Sequence, residues 1–371
     1  MSRETSHWRN NFFLVGQTAQ RGLAWHYRKS DQGAEPNHYD GFIPVADVVR
    51  RLFPSPVLTV PTAIAIPVGA GEVPDFMQNG TGYRWQLMAR KGIIPGTAEQ
   101  RLDLIDPDTG HFDPLGIHGL DYVSHQYADW LIDRIGTLLD VSHGELGITS
   151  AILMRGGRVA SVELSMPDTI TTPAGFPFRP NVLAYTSHNG DYATTWKRTV
   201  TAVVCDNTFR AADAEDERGG IQRWRHTAAS ADDTTTMMDA RKALGIILKN
   251  GEAAGAKIEA MAAHKVSEAE WGRVLDALAP KAAEDATPRS KGFAERKRGA
   301  LTMLWTSDER VEPWRGTALG VVQAFSTYTH HIQRGTADPD KRGERAAWRT
   351  VTGAYAQVEA EVLDALAVAQ K

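Results

Sequence analysis

A change of hydrophobic period constrains this chain more than any other feature. Apolar residues alternate with a period of two from Ile148 to Cys205, then take helical spacing after about residue 232. A period of two sends successive side chains to opposite faces of a strand. Two turn signals interrupt the alternation. Gly156-Gly157 separates Ser150–Met154 from Val159–Ser165, and Asn189-Gly190-Asp191 separates Val182–Ser187 from Tyr192–Cys205. Such residues reach the positive φ that two-residue hairpin loops demand. The pattern predicts two hairpins of an antiparallel sheet, with Ile221–Thr227 as one more strand.

Helical signals lie on both sides. Asp121–Leu139 carries Tyr127, Trp130, Leu131, Ile135, Leu138 and Leu139 on one stripe. Beyond residue 232, helices are expected over 234–263, 267–278, 291–305, 318–332 and 344–369. Ser267 and Glu270 form a capping box at the start of the second, and Pro280 follows its end. Before residue 120 the chain is rich in Gly and Pro. There Val57–Val68 reads as short strands broken by prolines that suit sheet edges, and Tyr83–Arg90 as another short strand. The expected fold is α+β: an antiparallel sheet with protruding hairpins packed against helices, followed by an all-helical C-terminal region. Its expected divisions are a strand-rich N-terminal region (1–120), a central α+β core (121–231) and the helical region (232–371).

The chain has 371 residues, enough for a substantial core and two or three domains. Its formal net charge of −4 excludes a globally basic nucleic-acid binder but not a local basic groove. A single cysteine, Cys205 in an apolar strand, precludes an internal disulfide and suits a reducing cytosol. The first residues lack the apolar core of a signal peptide, and no stretch is long enough to cross a bilayer. A cytoplasmic protein without a membrane partner is expected.

Three clusters within about seventy residues could carry chemistry. In the strand after the Asn-Gly-Asp turn, Thr195, Lys197, Thr199 and Thr201 share a face that reads as solvated. Trp196, Arg198, Val200 and Val204 share the other, which reads as buried. Arg198 on that apolar face must meet a carboxylate such as Asp206 or an anionic ligand. Across the Gly-Gly turn, Arg155 and Arg158 would oppose each other at some cost, which a bound phosphate relieves or which solvent screens. Arg223-Trp224-Arg225-His226 interleaves cations with rings, a pattern that suits single-stranded nucleic acid. Trp224 can equally be core. No metal site is expected: His118 and His125 are too far apart for one helical face, and His330 and His331 point apart. Residues 213–217 read as a solvated acidic loop, and Glu295–Arg298 as a wet helix face.

Several stretches together resemble a known family. They are Gly22-Leu23-Ala24-Trp25-His26, Leu120-Asp121-Tyr122, Leu153-Met154-Arg155-Gly156-Gly157, His188-Asn189-Gly190-Asp191, Val204-Cys205-Asp206-Asn207-Thr208 and Trp314-Arg315-Gly316-Thr317-Ala318. The chain is similar over nearly its whole length to the bacterial phage/plasmid-like protein family, the domain of unknown function 932, in its actinobacterial form. The resemblance implies carriage on phages, prophages and plasmids. It assigns no activity, and the roles of Trp25, His26, Cys205, Asp206 and Asn207 stay open.

The leading functional expectation is single-stranded nucleic-acid binding, extending to strand annealing in phage or plasmid recombination. Arg155, Arg158, Lys197, Arg198, Arg223 and Arg225 would track phosphates, and Trp196 or Trp224 would stack on bases. Annealers usually work as homo-oligomers and need no cofactor. An interaction or structural protein of a mobile element comes next, with Trp271, Trp305, Trp314 and Trp348 in its core. A hydrolase or nuclease centred on Asp206 and a histidine comes last, because converging carboxylates are missing from the pattern.

Overall fold

The computed structural model describes residues 11–21, 35–70, 83–102, 105, 108, 110, 112–142, 144–202, 208–209, 221–227, 251–333, 344–345, 347–349 and 352–369. Trp25, His26, Cys205, Asp206, Asn207, the acidic loop and residues 234–250 lie outside them, as does the side chain of Arg198.

The main sheet is antiparallel. It contains β1 (Phe13–Val15), β5 (Gly147–Met154), β6 (Val159–Ser165), β8 (Pro177–Ser187), β9 (Thr194–Ala202) and β10 (Thr208–Phe209), adjacent in that order. β7 (Ile170–Thr171) pairs with β8, and β11 (Ile221–Trp224) pairs with β9. A second sheet joins β2 (Val57–Ala70), β3 (Tyr83–Pro95) and β4 (Gly116–His118). β2 and β3 form one long ribbon rather than the short strands expected. Pro61 and Pro67 are tolerated because β2 pairs on one side only, and the register shifts at Pro67/Gly69.

Both expected hairpins form, β5–β6 and β8–β9. The first turn differs from the expectation in length. The last cross-strand pair is Met154↔Val159, so Arg155-Gly156-Gly157-Arg158 make a four-residue loop. Arg155, Gly156 and Gly157 all have positive φ (54°, 64° and 90°). Arg155 and Arg158 therefore do not face each other across a ladder.

One sheet face is a dry core. Leu14, Ala151, Val162, Leu164, Ala184 and Trp196 pack there against α1 (Val45–Leu52) and the helical segment α2 (127–141). Burying each such large side chain contributes about 1.5–3 kcal/mol. The stripe expected on α2 is the one that packs, although helix begins at Tyr127 rather than Asp121. Within α2, Trp130–Gly136 is a π-helical stretch that also turns Arg134 inward.

The other face corrects the solvated reading of Thr195 and Thr199, while Lys197 is half-buried. Thr195 and Thr199 are 2% and 6% exposed. Ile152, Met154, Leu183 and Tyr185 of this face pack with Ala347 and Trp348, while Glu163 accepts from Asn181 Nδ2 (2.6 Å) and Ser150 Oγ (3.1 Å). This polar face is buried with Asn181 and Ser150 bonded to Glu163 of the strand between them and Thr195 Oγ1 donating to Ala193 O (2.8 Å), while Thr199 Oγ1 has no hydrogen-bond partner among the described residues.

The C-terminal region is helical: α3 (251–263), α4 (Glu268–Leu278), α5 (Pro288–Ser307), α6 (Ala318–Thr327) continuing as Tyr328–Ile332, and α7 (Ala354–Ala369). The capping box at Ser267 is present in both directions. Trp271, Trp305, Trp314, Leu319 and Phe325 lie in one cluster that reaches Phe176 and Phe178 of the sheet region. The Glu295–Arg298 run is not simply wet. Lys297 Nζ donates to Leu278 O (2.6 Å) and Arg298 Nη1 to Ala279 O (2.7 Å), closing the carbonyl end of α4.

Candidate functional site

Of the residues expected to track and stack nucleic acid, the fold sets Arg155 and Arg158 apart from Lys197, Arg223 and Arg225, and the side chain of Arg198 lies outside the described residues. Arg155 Nη1 pairs with Asp191 Oδ2 at 2.8 Å, which ties the two hairpin turns together, and its guanidinium lies 4.6 Å from the Trp348 ring centre. Its backbone N–H donates to the Glu344 carboxylate. Arg158 pairs with the Asp113 carboxylate (2.6 Å) and donates to three carbonyls, those of Asp113, Pro114 and Arg155. Carboxylates, rather than phosphate, thus answer the charge on both arginines. Trp196 is 5% exposed and belongs to the core. Trp224 is half-buried, edge-on to Trp196 at 5.8 Å, with the Arg134 guanidinium 5.0 Å from its ring centre.

The remaining cations gather at β11. Arg223 and Arg225 are exposed, and the register Arg223↔Thr195 and Ile221↔Lys197 puts Arg223 and Lys197 on one face. Lys197 Nζ lies 5.5 Å from the centre of the Tyr185 ring.

Next to this edge the fold assembles a cluster for which the sequence held no contiguous motif. It comprises His118 from β4, Tyr122, Ser124 and His125 from the following loop, Tyr127 at the start of α2, and Thr186 to His188 at the end of β8. Thr194 of β9 and His226 just past β11 complete it. Four crosslinks hold the loop in place. Gln126 Nε2 donates to Val57 O (3.0 Å), while its Oε1 accepts from Val57 N (2.8 Å). Lys91 Nζ donates to Tyr122 O (3.0 Å), and Val123 N to His226 O (3.1 Å). Gly116 permits the close approach: a Cβ there would sit 2.2 Å from His188 O.

The rings stack in two sets. His118 lies on Tyr122 (3.7 Å, 6°), Tyr122 on His226 (5.1 Å), and His226 on His125 (4.3 Å). Tyr127 lies on His188 (3.9 Å). A hydrogen-bonded chain runs from the Tyr122 hydroxyl to His226 Nδ1 (2.9 Å), His226 Nε2 to Thr186 Oγ1 (3.2 Å), on to Thr194 Oγ1 (2.8 Å), and to His125 Nδ1 (2.8 Å). Ser124 Oγ meets His188 Nδ1 at 3.0 Å.

Burial sets the protonation of this cluster, because a charged imidazole loses its hydration there. Desolvation, reinforced by neighbouring Arg134, lowers His125 to about 4. Desolvation and the other histidines lower His188 and His226 to about 3. Burial likewise pushes the Tyr122 and Tyr127 hydroxyls up. At neutral pH His125, His188 and His226 are therefore uncharged hydrogen-bonding rings. Among the described residues no three His, Cys, Asp or Glu side chains are placed to share a metal ion. Chemically the cluster can relay or exchange protons along its hydroxyls.

A cavity of about 660 Å³ is lined by His188, Tyr127, Leu153, Gly156 and Gly157 together with residues following α1. His118 and His125 were visible in the sequence as histidines, but nothing local signalled their meeting with His188 and His226.

A sequence model of the family described as "Domain of unknown function (DUF932)" matches residues 114–359, well over half of the chain. No curated protein and no solved structure matches it. The matched span takes in the whole histidine–tyrosine cluster, both hairpin turns and most of the helical region. The chain belongs to the family defined by the domain of unknown function DUF932.

Proposed function

We propose that the protein binds single-stranded nucleic acid at the β11 edge, as a cytoplasmic homo-oligomer serving strand annealing on a mobile element. One observation carries the reading: exposed Arg223 and Arg225 flank Trp224 on an edge strand, with Lys197 on the same sheet face as Arg223. Contact there is mainly to phosphate, since Trp196 and much of Trp224 are covered. Arg155 and Arg158 position the hairpin turns instead, each through its own carboxylate. No helix among the described residues is long and apolar enough to cross a membrane.

Fluorescence anisotropy of a labelled DNA strand, titrated at two salt concentrations, tests this reading. Binding is expected to favour single over double strands and to weaken with salt. The double variant Arg223→Ala/Arg225→Ala should flatten the log–log salt slope by about 0.7 for each phosphate that is no longer neutralised. Absence of binding at low salt, or an unchanged slope in the variant, refutes it.

A second reading, docking of another protein chain, is favoured by the β2–β3 ribbon. On one face it leaves the cross-strand neighbours Ile64 and Met88 38% and 39% exposed, and on the other Leu87 68% exposed. The Ile64–Met88 pair offers an apolar surface for another chain, and Met88→Asp would weaken such an assembly without altering strand binding.

A further inference from the structure

We propose that the outward face of α5 is a second contact surface for single-stranded nucleic acid, where Phe293 stacks on an unpaired base between the guanidinium groups of Arg289 and Arg296. The inference rests on the reading of the protein as a single-strand binder, and it supplies what the β11 edge lacks, an uncovered ring.

Phe293 is 56% exposed, whereas Trp196 is 5% exposed. Cations flank it along the helix. The Arg289 guanidinium lies 5.8 Å from its ring centre and that of Arg296 lies 4.7 Å away. Spacings of i−4 and i+3 put all three side chains on one face of α5. A base laid on such a ring gains stacking without any demand for sequence, and neighbouring guanidinium groups reach its phosphates.

The charge of α5 points the same way. The helix holds Arg289, Lys291, Arg296, Lys297 and Arg298 against one carboxylate, Glu295, in a chain whose net charge is −4. Lys297 and Arg298 are engaged with the end of α4, and Arg298 also pairs with Asp276 (2.8 Å). Arg289 and Arg296 are exposed and stand in no ion pair among the described residues. The helical neighbours of Arg296 are Gly292, Phe293, Gly299 and Ala300, none of them acidic. The start of α5 is also unusual. It runs Pro288, Arg289, Ser290, Lys291 with no acid in the first turn, against the preference of the helix dipole for negative charge there. A phosphate on this face answers both the dipole and the guanidinium groups.

Anisotropy of a labelled oligothymidylate, and of an abasic strand of the same length, separates ring from charge in the full chain. Phe293→Leu keeps an apolar side chain and removes the ring, and because the residue is exposed the core is left intact. It should weaken oligothymidylate binding about tenfold, with the salt slope and the abasic strand unaffected. Phe293→Tyr should restore wild-type affinity. Arg289→Ala/Arg296→Ala should instead flatten the salt slope on both strands. Wild-type affinity in Phe293→Leu overturns the proposal and leaves this face to a protein partner. An equal loss on the abasic strand, or an unchanged slope in the arginine variant, overturns it too. The β11 reading is judged separately by the slope of Arg223→Ala/Arg225→Ala, so either surface can fail alone. A wild-type chain that binds neither strand refutes both.

Discussion

Two aromatic clusters in this protein have the same ring geometry and opposite chemistry. In the helical region, Trp271 and Trp305 stack at 4.8 Å and 10°. At the end of the sheet, His118 and Tyr122 stack at 3.7 Å and 6°, continuing through His226 to His125. The indole pair buries no titratable group, and the Trp305 N–H donates to Glu268 (3.1 Å). Its stabilisation comes from apolar area and persists at any ordinary pH. The imidazole cluster buries three groups that water would protonate near pH 6.5. Packing alone therefore does not define a core, because one of these clusters is stable only while its rings remain uncharged.

The largest expected effect separates the clusters by pH. His125, His188 and His226 have folded pKa values below the unfolded value of 6.5. The folded state thus binds fewer protons than the unfolded state on the acid side. Their contribution is complete above pH 6.5. It is lost as pH falls, down to about 4 for His125 and about 3 for the other two. Each histidine costs about 1.4 kcal/mol per pH unit within its window, so the three together cost on the order of 6 kcal/mol at pH 5 as a ceiling. Urea midpoints at pH 7.5 and pH 5 check this, and equal midpoints would sink the neutral-cluster account.

The converse break is Trp305→Ala. It removes a fully packed side chain, 1% exposed, and should cost about 3–5 kcal/mol. If the comparison holds, that loss is the same at pH 7.5 and pH 5. A loss that grows on acidification would mean the two clusters are coupled. The smallest effect sharpens the local side of the comparison. Ser267→Ala removes the α4 cap and should lower stability by about 1 kcal/mol, with Ser267→Gly recovering most of it. Thermal unfolding of both variants measures the difference.

What could be read from the sequence follows the range of each interaction. The capping box at Ser267 and Glu270 spans four residues, and its signal survived intact. The stripe Tyr127, Trp130, Leu131, Ile135 and Leu138 is likewise local, and all five are buried. The hairpins were legible too, although the first turn took four residues where two were expected. The arginines were misread because their partners are remote. Asp191 lies 36 residues from Arg155, and the Asp113 segment 45 residues from Arg158. The polar face of β9 was misread for a related reason. Alternation reports which residues share a face, but not whether another element covers it.

The sequence alone determined the periods, the turns and caps, and hence an antiparallel sheet followed by helices. These depend on backbone preferences and side chains a few residues apart. Only the tertiary structure decided which cations face solvent, and that His118, Tyr122, His125, His188 and His226 meet in one cluster in which His125, His188 and His226 are held neutral. His118 and His188 are 70 residues apart, and Tyr122 and His226 are 104 apart. The field and desolvation that set their protonation exist only once the chain has closed around them.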